Sequence, residues 1–209
     1  MPIRLLFTQT DRNLTGQSKM WGCPDLPDTL SYPESEIAED DETYRNPLTF
    51  ICQIRCEDLI PFDTEGLLPH SGMLYFFAEV DYYLGADGYD SPGMGEWPAS
   101  AIRVLYTPTG EGLHTHSLVD EQGNTLGLPP EAITFTACNP ASDGFKLLGL
   151  PFFDEVREQY PAHVSLFQMD EEDKWNLRFF DSGMLSFLLS AEDLKQRRFE
   201  RTVAYLHSF

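Results

Sequence analysis

Three short blocks of sequence occur twice in the same order, and this repetition limits the possible architectures more than composition does. The blocks are Lys-x-x-Gly-x-Pro, an apolar segment that contains Gln, and Gly-Met-Leu-x-Phe. The two copies lie at 19–24, 50–58 and 72–76, and at 146–151, 165–173 and 183–187. Because a repeated order of blocks rarely arises by chance, the sequence predicts an internal duplication of a strand-rich unit. We expect one domain over 1–209, built from related halves at about 1–100 and 130–209.

The third block predicts a glycine turn followed by a buried strand. After Gly72 the chain reads "MLYFFAEV", and after Gly183 it reads "MLSFLL". Both runs are apolar at successive positions, a pattern typical of central strands that are buried on both faces. The glycines supply a tight entry where a side chain would not fit.

The remaining chain predicts many antiparallel strands and few helices. One helix is expected to begin at Ser190, with Asp193 completing an approximate capping box, and to run through "AEDLKQRR". A second short helix is expected within 152–160. The predicted fold class is therefore α+β, predominantly antiparallel β with two or three short helices.

Two segments are expected to be loops. Residues 16–47 carry four prolines and the acidic run "PESEIAEDDE", which predicts an exposed loop at 28–47. Residues 83–98 are rich in Gly, Pro and Asp. Trp21 and Trp97 lie in these breaker-rich segments, and they are interpreted either as exposed partner anchors or as covers for strand ends.

Charge and targeting signals restrict the classes of function. Fourteen basic residues against 34 acidic ones give a net charge of −20, which disfavours nucleic acids and anionic membranes and favours a basic protein partner. The N-terminal "MPIRLLFTQTDR" lacks the apolar core of a secretory signal, and no apolar run is long enough for a membrane helix. Four scattered cysteines do not form a disulfide framework, so a cytoplasmic location is expected.

Candidate catalytic and metal-ligating patterns are weak. The "HTH" at 114–116 places two imidazoles on one strand face but lacks further ligands, and the Asp and Gly residues of 81–90 do not have the spacing of an EF-hand. Cys138 has no base marked in the sequence. We therefore expect no metal, no cofactor and no assigned catalytic residue, and we favour a role without catalysis while enzymatic activity stays open.

Several segments resemble the signature blocks of the YwqG-like family, a bacterial family of unknown function. They are "SKMWGCPDLP" (18–27), "FICQI" (50–54), "LLPHSGMLYFF" (67–77), "RVLY" (103–106), "SLFQMD" (165–170) and "FFDSGMLSFLLSAEDL" (179–194). The resemblance covers most of the chain and implies a cytoplasmic, β-rich α+β protein. It implies no activity and no catalytic residues.

Two functional hypotheses follow. The first is a non-catalytic acidic module that binds a basic protein, as an immunity-type protein would. The alternative is a small-molecule-binding protein or enzyme that uses a cleft between the two repeats. The residues predicted to contact such a ligand are Lys19, Trp21, Gln53, Gln168 and Asp181.

Overall fold

Strands dominate the computed structural model, which describes residues 1–39 and 42–209. The strands of this part of the chain are β1 (Ile3–Gln9), β2 (Lys19–Met20), β3 (Asp25–Pro27), β4 (Glu34–Glu39), β5 (Glu42–Pro47), β6 (Thr49–Arg55), β7 (Met73–Ala78), β8 (Gly95–Glu96), β9 (Ile102–Thr107), β10 (Leu113–Thr115), β11 (Glu131–Ala137), β12 (Lys146–Leu147), β13 (His163–Met169), β14 (Met184–Ser190) and β15 (Val203–His207). Its α-helices are α1 (Asp154–Gln159) and α2 (Ala191–Lys195), and its 3-10 turns are Cys56–Leu59, Tyr82–Leu84, Ala99–Ala101, Asp173–Trp175 and Phe199–Arg201.

Eleven of these strands form one antiparallel sheet that curls into a half-barrel. Its strand order is β8-β15-β14-β13-β12-β1-β11-β2-β6-β7-β9. The strands β3 and β10 form a separate pair, and β4 and β5 form a hairpin. The acidic segment predicted as a loop therefore contains a hairpin, although its residues 40 and 41 lie outside the described part.

The predicted α+β class is wrong, because the fold is mostly β and only 13% helical. The capping signal at Ser190 is real, since its Oγ accepts from the Asp193 backbone N–H at 3.0 Å. The helix nevertheless ends at Lys195, and Arg197 then adopts a left-handed conformation with a φ of 56°. Helix α1 is equally short, because Pro161 disfavours helical geometry at Tyr160. Neither helix is long enough to build a layer.

Both tryptophans of the breaker-rich segments are buried. Trp21 is 1% exposed and Trp97 is 3% exposed, so neither is an exposed anchor. Each packs into the main core, which supports the alternative interpretation that they cover strand ends. Residues distant in sequence bury these two side chains, so local periodicity in the sequence could not predict their burial.

The sheet has an approximate two-fold arrangement about its two central strands, β1 and β11. These two strands pair along their whole length, from Ile3 with Ala137 to Gln9 with Glu131. Strands β12, β13, β14 and β15 follow on one side, where the short strand β8 forms the edge, and β2, β6, β7 and β9 follow on the other. Strand β1 pairs with β12 rather than β2, while β11 pairs with β2. Strand β1 of the first half therefore lies beside β12 of the second half, and β11 of the second half lies beside β2 of the first.

Backbone details recur at matching positions of the two halves. Trp21 and Leu148, the third residues of the two Lys-x-x-Gly-x-Pro blocks, have φ values of 58° and 61°. The register of β6 shifts between Phe50 and Cys52, and that of β13 shifts between Ser165 and Phe167. The predicted duplication stays a prediction, and these shared irregularities support it.

The repeated strands β7 and β14 are buried on both faces, as their apolar runs predict. On the inner face of the curled sheet, the rings of Phe76 and Phe187 meet edge to face at 5.7 Å between their centroids. On the outer face, Tyr75 belongs to a cluster with Leu26 in the first half. In the second half, Leu188 packs with Val156 of α1. The β3–β10 pair thus covers one outer face, and helix α1 covers the other.

Substitution of Gly72 tests whether the turn before β7 requires glycine. A Cβ at Gly72 would lie 1.9 Å from the carbonyl oxygen of Thr107, whereas one at Gly88 would meet nothing within 4 Å. Since both glycines have nearly equal φ values, 83° and 84°, Gly88→Ala isolates the backbone cost of roughly 1–2 kcal/mol. We expect Gly72→Ala to lower the free energy of unfolding by at least about 2 kcal/mol more. Denaturant unfolding measures both, and equal losses would contradict the steric argument.

Candidate functional site

Asp25 is the centre of a buried polar network in the first half. Its side chain is fully buried, and its Oδ2 accepts from Lys19 Nζ at 2.7 Å, from Gln53 Nε2 at 2.7 Å and from the Gly16 backbone N–H at 3.0 Å. The hydroxyl of Thr115 donates to Oδ1 at 2.7 Å. Four donors therefore compensate the burial of one carboxylate.

These donors keep Asp25 ionised. Burial alone raises the pKa of a carboxyl group, but the hydrogen bonds from Lys19 and Thr115 and the charge of Lys19 outweigh it, so the pKa of Asp25 lies below its ordinary value. The Lys19–Asp25 ion pair is almost fully enclosed. It fixes the segment that follows Pro24 against β2, and the hydrogen bonds of Gln53 connect the same segment to β6.

The second half repeats the lysine and the glutamine but not the carboxylate. Gln168 Oε1 accepts from the Phe152 backbone N–H at 3.1 Å, as Gln53 Oε1 accepts from the Asp25 backbone N–H at 2.9 Å. Lys146 is fully buried and donates to carbonyl oxygens, including that of Pro140 at 3.1 Å. Burial lowers the pKa of Lys146 to about 8. The two halves therefore share a scaffold but differ in charge.

The five residues predicted to bind a ligand do not surround one cavity. Lys19 and Gln53 meet at Asp25, and Gln53 and Gln168 are both fully buried. Asp181 is exposed, and its backbone N–H donates to the Ser208 hydroxyl. Trp21 lines a cavity that the sequence did not indicate. The predicted role of these residues in ligand binding stays a prediction.

That cavity has a volume of about 350 Å³ and lies beside the first Lys-x-x-Gly-x-Pro block. Its wall comes from segments far apart in the chain: 21–24 after β2, Tyr32, 47–50 at the start of β6, 81–89 after β7, and 116–128 before β11. Trp21 Nε1 and His116 Nε2 are buried and have no hydrogen-bond partner among the described residues. Two unpartnered ring nitrogens thus belong to residues of one wall.

Asp81 supplies the carboxylate of this wall. Its Oδ2 accepts from the Thr49 hydroxyl at 2.6 Å. Burial raises the pKa of Asp81, because the apolar surroundings disfavour the charged form. The hydroxyl of Tyr32 donates to the Leu48 carbonyl at 3.0 Å, and burial, with Cys23 and Asp81 nearby, raises the pKa of Tyr32. The phenol therefore stays neutral beside the carboxyl group.

A second, more open cavity of about 500 Å³ adjoins the first. The two share Gly22, Cys23 and residues 126–128 as a common wall. Arg12 and Lys19 line the second cavity, but the Lys19 ammonium is paired with Asp25. Segment 126–128 therefore separates an aromatic cavity from a more polar one.

The candidate metal and cysteine patterns do not assemble in the described residues. No group of three or more His, Cys, Asp or Glu side chains is placed to hold a metal ion across 1–39 and 42–209. His114 is exposed, with its Nε2 3.8 Å from Asp28, while His116 lies in the wall of the first cavity. All four cysteines are free thiols, and burial raises the pKa of Cys52 and Cys56.

The residues that sequence analysis missed are Asp25 and Thr115. Asp25 follows directly after the first Lys-x-x-Gly-x-Pro block, where the second copy has Phe152, so this difference between the copies was the available signal. Asp81 was considered only as a calcium ligand within 81–90, and Lys146 only as the first residue of a repeat block, because chain segments distant in sequence define their surroundings.

The curled antiparallel sheet places the chain in the class of mostly-β proteins, and its cavity is lined by aromatic side chains. Residues 18–207 match the family described as "Domain of unknown function (DUF1963)". The chain belongs to this family. No curated protein shows significant similarity to it. Among the described residues, no helix has the length and apolar character needed to cross a membrane.

Asp25→Ala tests the buried ion pair. Because the substitution leaves the Lys19 ammonium buried without its carboxylate, we expect a loss of about 3–5 kcal/mol in the free energy of unfolding. Asp28, whose side chain is 90% exposed, provides the control Asp28→Ala. A loss no larger than that of the control would contradict the role of the pair.

The same pair predicts an acid dependence. Since the folded pKa of Asp25 lies below its ordinary value, its contribution is complete above the unfolded pKa of about 3.9 and disappears as pH falls through the folded value. The difference in stability between wild type and Asp25→Asn should therefore shrink in that acidic window, which unfolding curves at several pH values measure.

Proposed function

We propose that the protein binds a small organic molecule in the cavity beside Trp21. The observation that carries this proposal is the cavity of about 350 Å³ whose wall combines aromatic side chains with the carboxyl group of Asp81. Ligand sites in proteins are concave and mainly apolar, with a few polar groups that fix orientation. The wall combines aromatic and aliphatic side chains with Asp81, Thr49 and His116 in this manner.

The polar groups that can orient a ligand are the carboxyl group of Asp81 and the hydroxyl of Thr49, which donates to it. A hydrogen bond to a charged group contributes about 1.5–3 kcal/mol, so a ligand donor at Asp81 is favourable. The proposal assigns binding to these residues and no reaction. It keeps the small-molecule alternative of the sequence analysis, and it moves the site from a cleft between the repeats to a cavity formed by the first half and the segment 116–128.

Filling the cavity tests this function. Ala86 is exposed and lines the cavity, so Ala86→Trp should occupy part of its volume without disturbing the core. We expect a thermal-shift screen of a charge-balanced metabolite library to find ligands whose stabilisation reaches about 2.7 kcal/mol at 100 times Kd. Ala86→Trp should weaken these ligands at least about tenfold.

Ala162→Trp is the matched control, because Ala162 is exposed and is not part of either cavity wall described above. Titration of ligands by calorimetry compares the three proteins. Equal affinity of all ligands for wild type and Ala86→Trp would place binding elsewhere, and a library without ligands would reject the proposal.

We propose as a second candidate a non-catalytic module that binds a basic protein in the cytoplasm, as an immunity-type protein would. This candidate keeps the resemblance to the YwqG-like family. The observation that favours it is the net charge of −20. Such a charge accelerates association with a basic partner and disfavours nucleic acids and anionic membranes. We propose this interaction in addition to ligand binding in the cavity, because a surface interaction and an internal ligand site can coexist in one domain.

Affinity capture from native lysate tests the interaction. If the acidic surface binds a basic protein, the immobilised chain should retain that protein at low salt and release it at about 0.5 M salt, because screening lengths fall to a few ångströms. An acidic protein of similar size and charge is the control for non-specific ion exchange. Capture of the same proteins by the control, or no salt-sensitive partner, would reject this candidate.

A further inference from the structure

We propose that the ligand of the Trp21 cavity is an apolar organic cation, with an ammonium group that pairs with Asp81 and a body that packs on the aromatic wall. This inference rests on the proposed function and names the chemical class of the ligand. It depends on three independent observations: the charges of the wall, its aromatic rings and the charge of the whole protein.

The charges of the wall have one sign. Asp81 is its carboxylate, and no lysine or arginine belongs to the described residues that line the cavity. Within the described ranges 1–39 and 42–209, no basic side chain lies within 4 Å of the Asp81 carboxylate. Its interaction with protein is the hydrogen bond from Thr49. A half-buried carboxylate without a counter-ion leaves a position for a cation.

The rings of the wall suit the same ligand class. Trp21, Tyr32, Phe50 and Tyr89 all line the cavity. A cation over an aromatic face gains about 0.5–1 kcal/mol at exposed sites and about 2 or more when desolvated. An alkyl or aryl body gains burial against these rings at roughly 25 cal/mol per Å². An anion would meet both the carboxylate and the negative ring faces.

The charge of the protein adds a long-range preference. A net charge of −20 attracts cations to a cleft with apolar walls and repels anions of the same shape. The field alone gives no local selectivity, so the pairing with Asp81 has to be separated from it by experiment. Neighbouring acids outside the cavity make this separation possible.

Three probes with one body and different charge test the inference: 2-phenylethylamine, 2-phenylethanol and 3-phenylpropionate. By calorimetry on the full chain, we expect the amine to bind at least about tenfold more tightly than the alcohol, and the carboxylate to bind most weakly. Asp81→Asn should remove the advantage of the amine and leave the affinity for the alcohol unchanged, because the amide keeps an acceptor for Thr49.

Asp87→Asn is the matched control. Asp87 is exposed in the same loop and does not line the cavity, so it removes one unit of charge without touching the site. The amine should keep its advantage in this variant. An equal loss in Asp87→Asn and Asp81→Asn would assign the preference to the overall field and overturn the pairing.

The wild-type probe series tests the inference even if Asp81→Asn fails to fold. Equal or tighter binding of the alcohol or the carboxylate would overturn the cationic class while leaving the cavity as a ligand site. If none of the three probes binds, the cationic class is overturned, and the library screen with Ala86→Trp decides separately whether the cavity binds any ligand.

Discussion

The edge-to-face contact between Phe76 and Phe187 is the constraint on which the curled sheet depends. These rings are the fifth residues of the two Gly-Met-Leu-x-Phe blocks, and the ring of Phe167 packs against both in tilted geometry, with centroid distances of 4.8 Å and 5.6 Å. A flat sheet of eleven strands would hold β7 and β14 far apart, because six strands lie between them and neighbouring strands are about 4.8 Å apart. The contact therefore requires the sheet to curl until its two arms share one core.

The first strand of each predicted half pairs with a strand of the other, which joins both in one sheet. Strand β1 lies beside β12 and β11 lies beside β2, so neither half contains its complete sheet without the other. If the halves descend from one duplicated unit, that unit would have paired in the same manner with a second copy of itself. The matching φ values of Trp21 and Leu148 fit such an origin, since both are rare for residues with a side chain.

Sequence patterns predicted the repeated strands, the cap of α2 and the need for glycine, because each depends on neighbours close in the chain. Ser190 and Asp193 are three residues apart, and the apolar run after Gly72 is continuous. The fold class was wrong because short helical signals do not reveal where a helix stops. The polar network of Asp25 and the cavity could not be predicted, because they depend on residues far away in sequence. Thr115, which donates to Asp25, is 90 residues away from it, and His116 follows directly after Thr115.

The cavity lies beside a region in which the two predicted halves differ, and salt dependence distinguishes ligand binding in the cavity from protein binding at the surface. Phe152 replaces Asp25, and helix α1 covers the second half where residues 25–33 cover the first. The two half-sheets thus keep one scaffold, while the first half gains polar groups and a cavity wall. Interactions of the exposed acids weaken over a Debye length of about 10 Å at 0.1 M salt, whereas the proposed pair of Asp81 with a ligand cation, in a cavity lined by Tyr32 and Phe50, would be screened much less. Binding that persists at high salt therefore belongs to the cavity, and binding that disappears belongs to the surface.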